Sequence, residues 1–119
     1  CRLFDTRNAD GPDAAAPALA PGEKRSLNVG TRCGLVASTV RSLAVNQTVT
    51  QPTASGELVL YRGDLAAAPI TSNVSFRAGM TRANNGILEL SRVGNGVIWV
   101  QNRSDGTVHF ILDVNGVFK

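Results

Sequence analysis

One histidine, two cysteines and a run of acids near the start make up the reactive inventory of this 119-residue chain. His109 shares a strand face with Ile111 and Asp113, and Asp113, four residues on, lies roughly 13 Å away along an extended strand. An imidazole acting as a base needs a nucleophile and an orienting acid within hydrogen-bond reach. His109 therefore reads as a sheet residue, satisfied or exposed. No HExxH, CxxC, GxSxG or Walker-type loop occurs, and Cys1 with Cys33 lacks zinc spacing. The expectation is a non-enzyme with no cofactor. Calcium is the alternative: Asp5, Asn8, Asp10 and Asp13 offer oxygen ligands at short spacing around Gly11, though without the downstream glutamate of an EF-hand loop. Asp and Asn at turns also cap backbone N–H groups with their own side chains.

A second set of residues suits binding. Thr81-Arg82-Ala83-Asn84-Asn85-Gly86 reads as a short polar link between two apolar strands. Arg82, Asn84 and Asn85 have the donors and acceptors to hold sugar hydroxyls, carboxylates or a neighbouring subunit, and the two amides ahead of Gly86 equally suit a turn cap. Tyr61 and Trp99 are the aromatic candidates for a stacking platform, which requires an exposed ring face. Their apolar neighbours equally suit a core. Near the start, Asp5 or Arg7 could stand beside Asp113, and an Arg7–Asp113 fork would stitch the two ends of the domain. Asn46, Asn73 and Asn102 match the glycosylation triplet.

These residues sit on elements whose pattern is strand. Arg2-Leu3-Phe4-Asp5 opens the chain, and residues 8–22 form a long Pro- and Gly-punctuated loop in which the Ala14-Ala15-Ala16 run is too short for a stable helix. Strand-like runs follow at Arg25–Val29, Thr39–Thr50, Glu57–Arg62, Ser72–Arg77, Ile87–Ser91, Gly96–Gln101 and Thr107–Val114. Leu58 and Leu60 alternate with Val59 and Tyr61, and Val108, Phe110 and Leu112 with His109 and Ile111. Ala68-Pro69 marks a turn. Asn95-Gly96 and Asp105-Gly106 carry the strongest hairpin signals, and the chain is expected to turn again at Asn115-Gly116. Gly34–Ala44 fits either a helical stripe or a strand, and Thr39-Val40 leading into Val45 and Val49 favours strand. The fold class is all-β, an antiparallel two-sheet β-sandwich or jelly roll of about eight strands, with residues 1–119 one module and its ends side by side in a sheet.

Composition excludes several roles. The chain is 43% apolar, enough for one core. Its net charge of +3 comes from ten dispersed Arg and two Lys, without the basic stripe that nucleic acid requires. No stretch approaches a membrane span. Two cysteines can pair in one way, and a Cys1–Cys33 bond, with the oxidising compartment it needs, is favoured over two free thiols. A chain opening on Cys rather than Met reads as processed or excised. A lipid-anchored Cys1 is the lesser option, since it would leave Cys33 without a partner.

Four ordered motifs span almost the whole chain: Arg2-Leu3-Phe4-Asp5-Thr6-Arg7 after Cys1, Leu43-Ala44-Val45-Asn46-Gln47-Thr48-Val49-Thr50-Gln51-Pro52-Thr53, Thr81-Arg82-Ala83-Asn84-Asn85, and Val108-His109-Phe110-Ile111-Leu112-Asp113-Val114-Asn115-Gly116-Val117-Phe118. In these the chain resembles a family of secreted bacterial modules with an R-hydrophobic-hydrophobic-D-T-R opening and an L-D-V-x-G-Y/F-F ending. Val117 stands where an aromatic is commoner. The resemblance implies an extracellular accessory domain, C-terminal to or repeated within exported proteins, and strengthens the expectation of secretion and of the Cys1–Cys33 bond. It brings no catalytic or ligand residues. The functional expectation is a non-catalytic attachment module for polysaccharide or cell-wall glycan, working beside other domains of a larger exported protein. The alternative is a structural module that assembles into a homo-oligomer and takes no small ligand.

Overall fold

The computed structural model describes residues 1–68 and 73–119. Eight strands build two four-stranded antiparallel sheets. They are β1 (Arg2–Asp5), β2 (Lys24–Asn28), β3 (Ser42–Thr50), β4 (Gly56–Arg62), β5 (Val74–Phe76), β6 (Arg82–Glu89), β7 (Val97–Ser104) and β8 (His109–Phe118). Sheet 1 has the order β1-β8-β3-β6 and sheet 2 the order β2-β7-β4-β5. The pairs β1·β8, β2·β7, β3·β6 and β4·β5 nest inside one another, and β3·β8 and β4·β7 join them into sheets. A doubled-over ribbon rolled into two layers is the jelly roll.

Alternation dictates the layers. In β3, Leu43, Val45, Gln47 and Val49 are buried while the residues between them are half-exposed, as a sheet with one wet face requires. The core takes Leu43, Val45, Val49, Leu88, Phe110 and Leu112 from sheet 1 and Leu58, Leu60, Val74, Phe76, Ile98 and Val100 from sheet 2. A bulge between Arg2 and Phe4 lets Leu3 and Phe4 both turn inward, 0% and 1% exposed. Gln47 is buried with its carbonyl oxygen unpartnered.

The loop over residues 8–22 is ordered by arginines that donate to its carbonyls. Arg25 reaches Ala15, Pro17 and Ala18 at 2.8–3.2 Å while forking onto Glu23 at 2.7 and 3.0 Å. Arg32 binds the Leu3 and Ala14 carbonyls at 2.9 Å and lies over the Phe4 ring. Leu19, fully buried, closes the loop against Val108. The disulfide Cys1–Cys33 ties β1 to the segment after β2. Among the described residues no helix is long and apolar enough to cross a membrane.

Several local readings change. Of residues 34–44, Ala37–Thr39 form a single 3-10 turn and Ser42–Ala44 are strand, the start of β3, so the favoured strand begins at Ser42 and not at Thr39. The turns at Asn95-Gly96 and Asp105-Gly106 do not make hairpins: each carries the chain from one sheet to the other. Turn chemistry marks a reversal but not the sheet that receives the next strand. Gly96 is needed there, because φ is +72° and a Cβ would lie 2.9–3.0 Å from Asn28, Ala37 and Gly30. Asn115-Gly116 is no turn either. β8 runs through it to Phe118 with a bulge in which Asn115 is the extra residue between Val114, opposite Val45, and Gly116, opposite Ala44. Of the expected Ala68-Pro69 turn and Ser72–Arg77 strand, Pro69 and Ser72 lie outside the described residues, and the observed strand is β5.

Candidate functional site

The acids near the start build structure. Asp5, 1% exposed, forks onto the Arg7 guanidinium at 2.9 and 2.8 Å and accepts the Arg7 backbone N–H at 3.0 Å. That guanidinium holds its carboxyl below the ordinary range. Asn8 turns its amide N–H, a donor, toward the Asp13 carboxylate at 3.1 and 3.3 Å, and Asp10 stays exposed. The expected calcium set of Asp5, Asn8, Asp10 and Asp13 is therefore not a ligand shell, and no cluster of three or more acidic, His or Cys side chains suited to a metal occurs among the described residues. The expected Arg7–Asp113 pair is also redrawn. Asp113 takes Arg2 at 2.9 Å, because Arg2 is its direct partner across β1 and β8, and Arg7 stays with Asp5. His109 is 2.9 Å from the Thr6 hydroxyl, which accepts the Phe110 N–H at 2.8 Å. It locks the β1 end to β8.

The proposed sugar-binding set is divided. Arg82, Asn84 and Asn85 lie within β6, not on a link. Successive strand residues face opposite ways, so Asn85, opposite Asn46, points to the outer face while Asn84, opposite Gln47, points to the other. The Asn84 amide donates to the Asn73 carbonyl at 2.9 Å. Arg82 opens the strand, exposed, opposite Val49. Both sides of this edge strand are wet over its first half, so it carries none of the apolar alternation that marks a strand in sequence.

Tyr61 and Trp99 are direct partners on the outer face of sheet 2. They do not form a platform. Tyr61 is 4% exposed, and the half-buried Trp99 donates its indole N–H to the Gly63 carbonyl at 3.2 Å. The Lys24 ammonium sits 4.2 Å from the Trp99 ring centre and 5.5 Å from that of Tyr61, a cation–π cap on the face a sugar would need.

The outer face of sheet 1 is organised otherwise. Arg2, Asp113, Asn46 and Asn85 stand in one register row across all four strands. With Asn115 and Asp13 they line a shallow basin of about 730 Å³. The β8 bulge is what adds Asn115, as bulges beside sites often re-aim a side chain. Of nine asparagines in the chain, Asn8, Asn28, Asn73, Asn84, Asn95 and Asn102 make side-chain hydrogen bonds. Among the described residues Asn46, Asn85 and Asn115 make none, and all three line this basin. Asn46 and Asn115 escape a sequence reading, since a free amide looks no different there from a structural one.

The glycosylation triplets differ in the same way. Asn102 is fully buried, with its amide nitrogen donating to the Ala20 and Gly106 carbonyls at 2.9 Å. It is a structural amide joining the 8–22 loop to the β7–β8 connection.

No family model matches this chain, and no curated protein does. Among solved structures it is similar to the coat protein of Tobacco streak virus, 13% identical over 88% of this chain and 83% of that one, with a TM-score of 0.47.

Proposed function

We propose that this chain is a non-catalytic attachment module of a secreted protein that holds a hydroxyl-rich glycan on the outer face of sheet 1. The three unpartnered amides of Asn46, Asn85 and Asn115, gathered beside the Arg2–Asp113 pair, carry this reading. Each amide offers a carbonyl acceptor and two N–H donors, the combination that matches sugar hydroxyls. The disulfide is in keeping with an oxidising compartment. With no stacking platform the affinity of one copy is modest, and repetition along a host protein would raise it.

Trp99 lies on the opposite sheet, so its fluorescence is the wrong probe. The test is an NMR titration with neutral hexaoses (β-1,3- and β-1,4-glucans and chitohexaose), following the side-chain amide signals. Saturable shifts of the Asn46, Asn85 and Asn115 side-chain amides are expected in the wild type, together with shifts of the Asp113 and Val114 backbone amides that are abolished in N46A/N85A/N115A. Unmoved amides across the panel would overturn the reading.

A second reading has its own observation. On the same face Ile87 and Phe118 are 62% and 51% exposed, and the row Ile87–Ala44–Gly116 is apolar and flat. A structural module would cover that strip with a second copy. Light scattering of wild type and I87K separates the two: a dimer lost in I87K supports assembly, a monomer in both supports attachment.

A further inference from the structure

A second cavity of about 490 Å³ opens at the end of the sandwich where the 3-10 turn, the start of β3 and the β6–β7 connection meet. Three arginines from three separate segments converge on it: Arg41 ahead of β3, Arg62 at the end of β4 and Arg92 after β6. Its floor is apolar, with Val40 and Leu90 buried, and Ser38, Ser42 and Ser91 add hydroxyls. The carboxylates nearby are already engaged. Arg62 takes Asp64 at 3.2 Å and Glu89 at 3.4 Å, and the Arg92 backbone N–H donates to Asp64. Among the described residues the guanidinium groups of Arg41 and Arg92 have no carboxylate within 4.0 Å.

Arg62 is held in place by its two carboxylates, its buried Nε 3.2 Å from Asp64, while Arg41 and Arg92 are exposed. Planar guanidinium forks suit carboxylate and phosphate oxygens, and the serines and apolar floor suit the polyol skeleton that bears such a group.

We infer that this cavity is an oxyanion site for the carboxylate or phosphate of a hydroxylated polymer. Its position gives it a relation to the basin. Ser42 lines the cavity and Asn46 the basin, four residues apart on β3, roughly 13 Å. Between them Ala44 and Gly116 leave the sheet surface flat. One acidic chain laid along β3 would reach both, so on the attachment reading the module selects acidic over neutral glycans. That last step rests on the proposed function; the anion site does not.

The experiment is an NMR titration with D-glucuronate, glycerol phosphate and glucose at constant ionic strength, on wild type and R41A/R92A. Both guanidinium groups are free of ion pairs, so the variant should keep its melting temperature. Saturable shifts at the Ser42, Arg92 and Gly94 amides with one or both anions, absent with glucose and weakened more than tenfold in R41A/R92A, are expected. R41E/R92E must lose them too. A response to glucuronate alone identifies the carboxylated source, and to glycerol phosphate alone the phosphorylated one. Shifts matched by chloride, or unchanged in both variants, would overturn the inference. Failure of the attachment reading shows separately, as silent Asn46, Asn85 and Asn115 amides with neutral hexaoses.

Discussion

The outer faces of the two sheets carry the same kinds of side chain and use them oppositely. On sheet 2 the residues best suited to a ligand are occupied within the chain: Trp99 is hydrogen-bonded and capped by Lys24, Tyr61 is buried, and Arg103 faces Glu57. On sheet 1 the Arg2–Asp113 pair is flanked by three amides that have no side-chain partner among the described residues. The difference lies in hydrogen-bonding capacity and not in residue type: the polar groups of sheet 2 are satisfied within the chain, and among the described residues those three amides of sheet 1 are not.

The widest way to break the contrast is through the disulfide, which anchors the strand that brings Arg2 to the sheet 1 face. Cys1 and Cys33 are 32 residues apart, and freeing a loop of that size costs about 3–4 kcal/mol in the chain-entropy description. Denaturant unfolding of C1S/C33S should show that loss, and binding at the basin should weaken while Trp99 keeps its native emission.

A smaller effect is expected at Asp5. Its folded carboxyl titrates below the ordinary 3.8 because Arg7 hydrogen-bonds the charged form. The unfolded chain therefore takes up the proton first, so this stability is complete above pH 3.8 and is lost as pH falls below it. Asp5→Asn should cost about 1.5–3 kcal/mol at pH 7, the range for hydrogen bonds to a charged group, and should flatten that part of the acid unfolding profile. An unchanged profile would contradict the assignment.

The smallest stability change sharpens the comparison most. Trp99→Ala should cost about 1–2 kcal/mol, less than the loss at a wholly buried aromatic, with glycan binding unaltered. N46A/N85A/N115A should stay within about 0.5 kcal/mol of wild type, as surface changes do, and lose binding. Thermal melts and the hexaose titration on the same samples check both.

The sheets were legible from the sequence because burial on one face imposes alternation, as in Val108 to Leu112. The pairing of the chain ends was legible too. What escaped lay where one face is not apolar. Arg82–Gly86 is strand without alternation, and Asn115-Gly116 is a bulge spelled like a turn. The candidate site was only partly visible: Asn85 was singled out, but its companions come from β3, β8 and β1, and only their register brings Asn46, Asn115 and Arg2 beside it. Arg7 was matched to Asp113 from the position of the two ends, and a shift of register gave that partner to Arg2.

The ring closed by Cys1 and Cys33 also fixes how the domain would bear load. β1 lies antiparallel to β8, with the Cys1 carbonyl accepting the Val114 N–H at 2.8 Å, so tension drawn from Cys1 and from beyond Phe118 acts at the same end of the pair. Such a pair would unzip one bond at a time. The sulfur bridge diverts that force from Cys1 straight to Cys33, leaving β1, the 8–22 loop and β2 slack inside a covalent ring. Under traction the chain can pay out only from Cys33 onward.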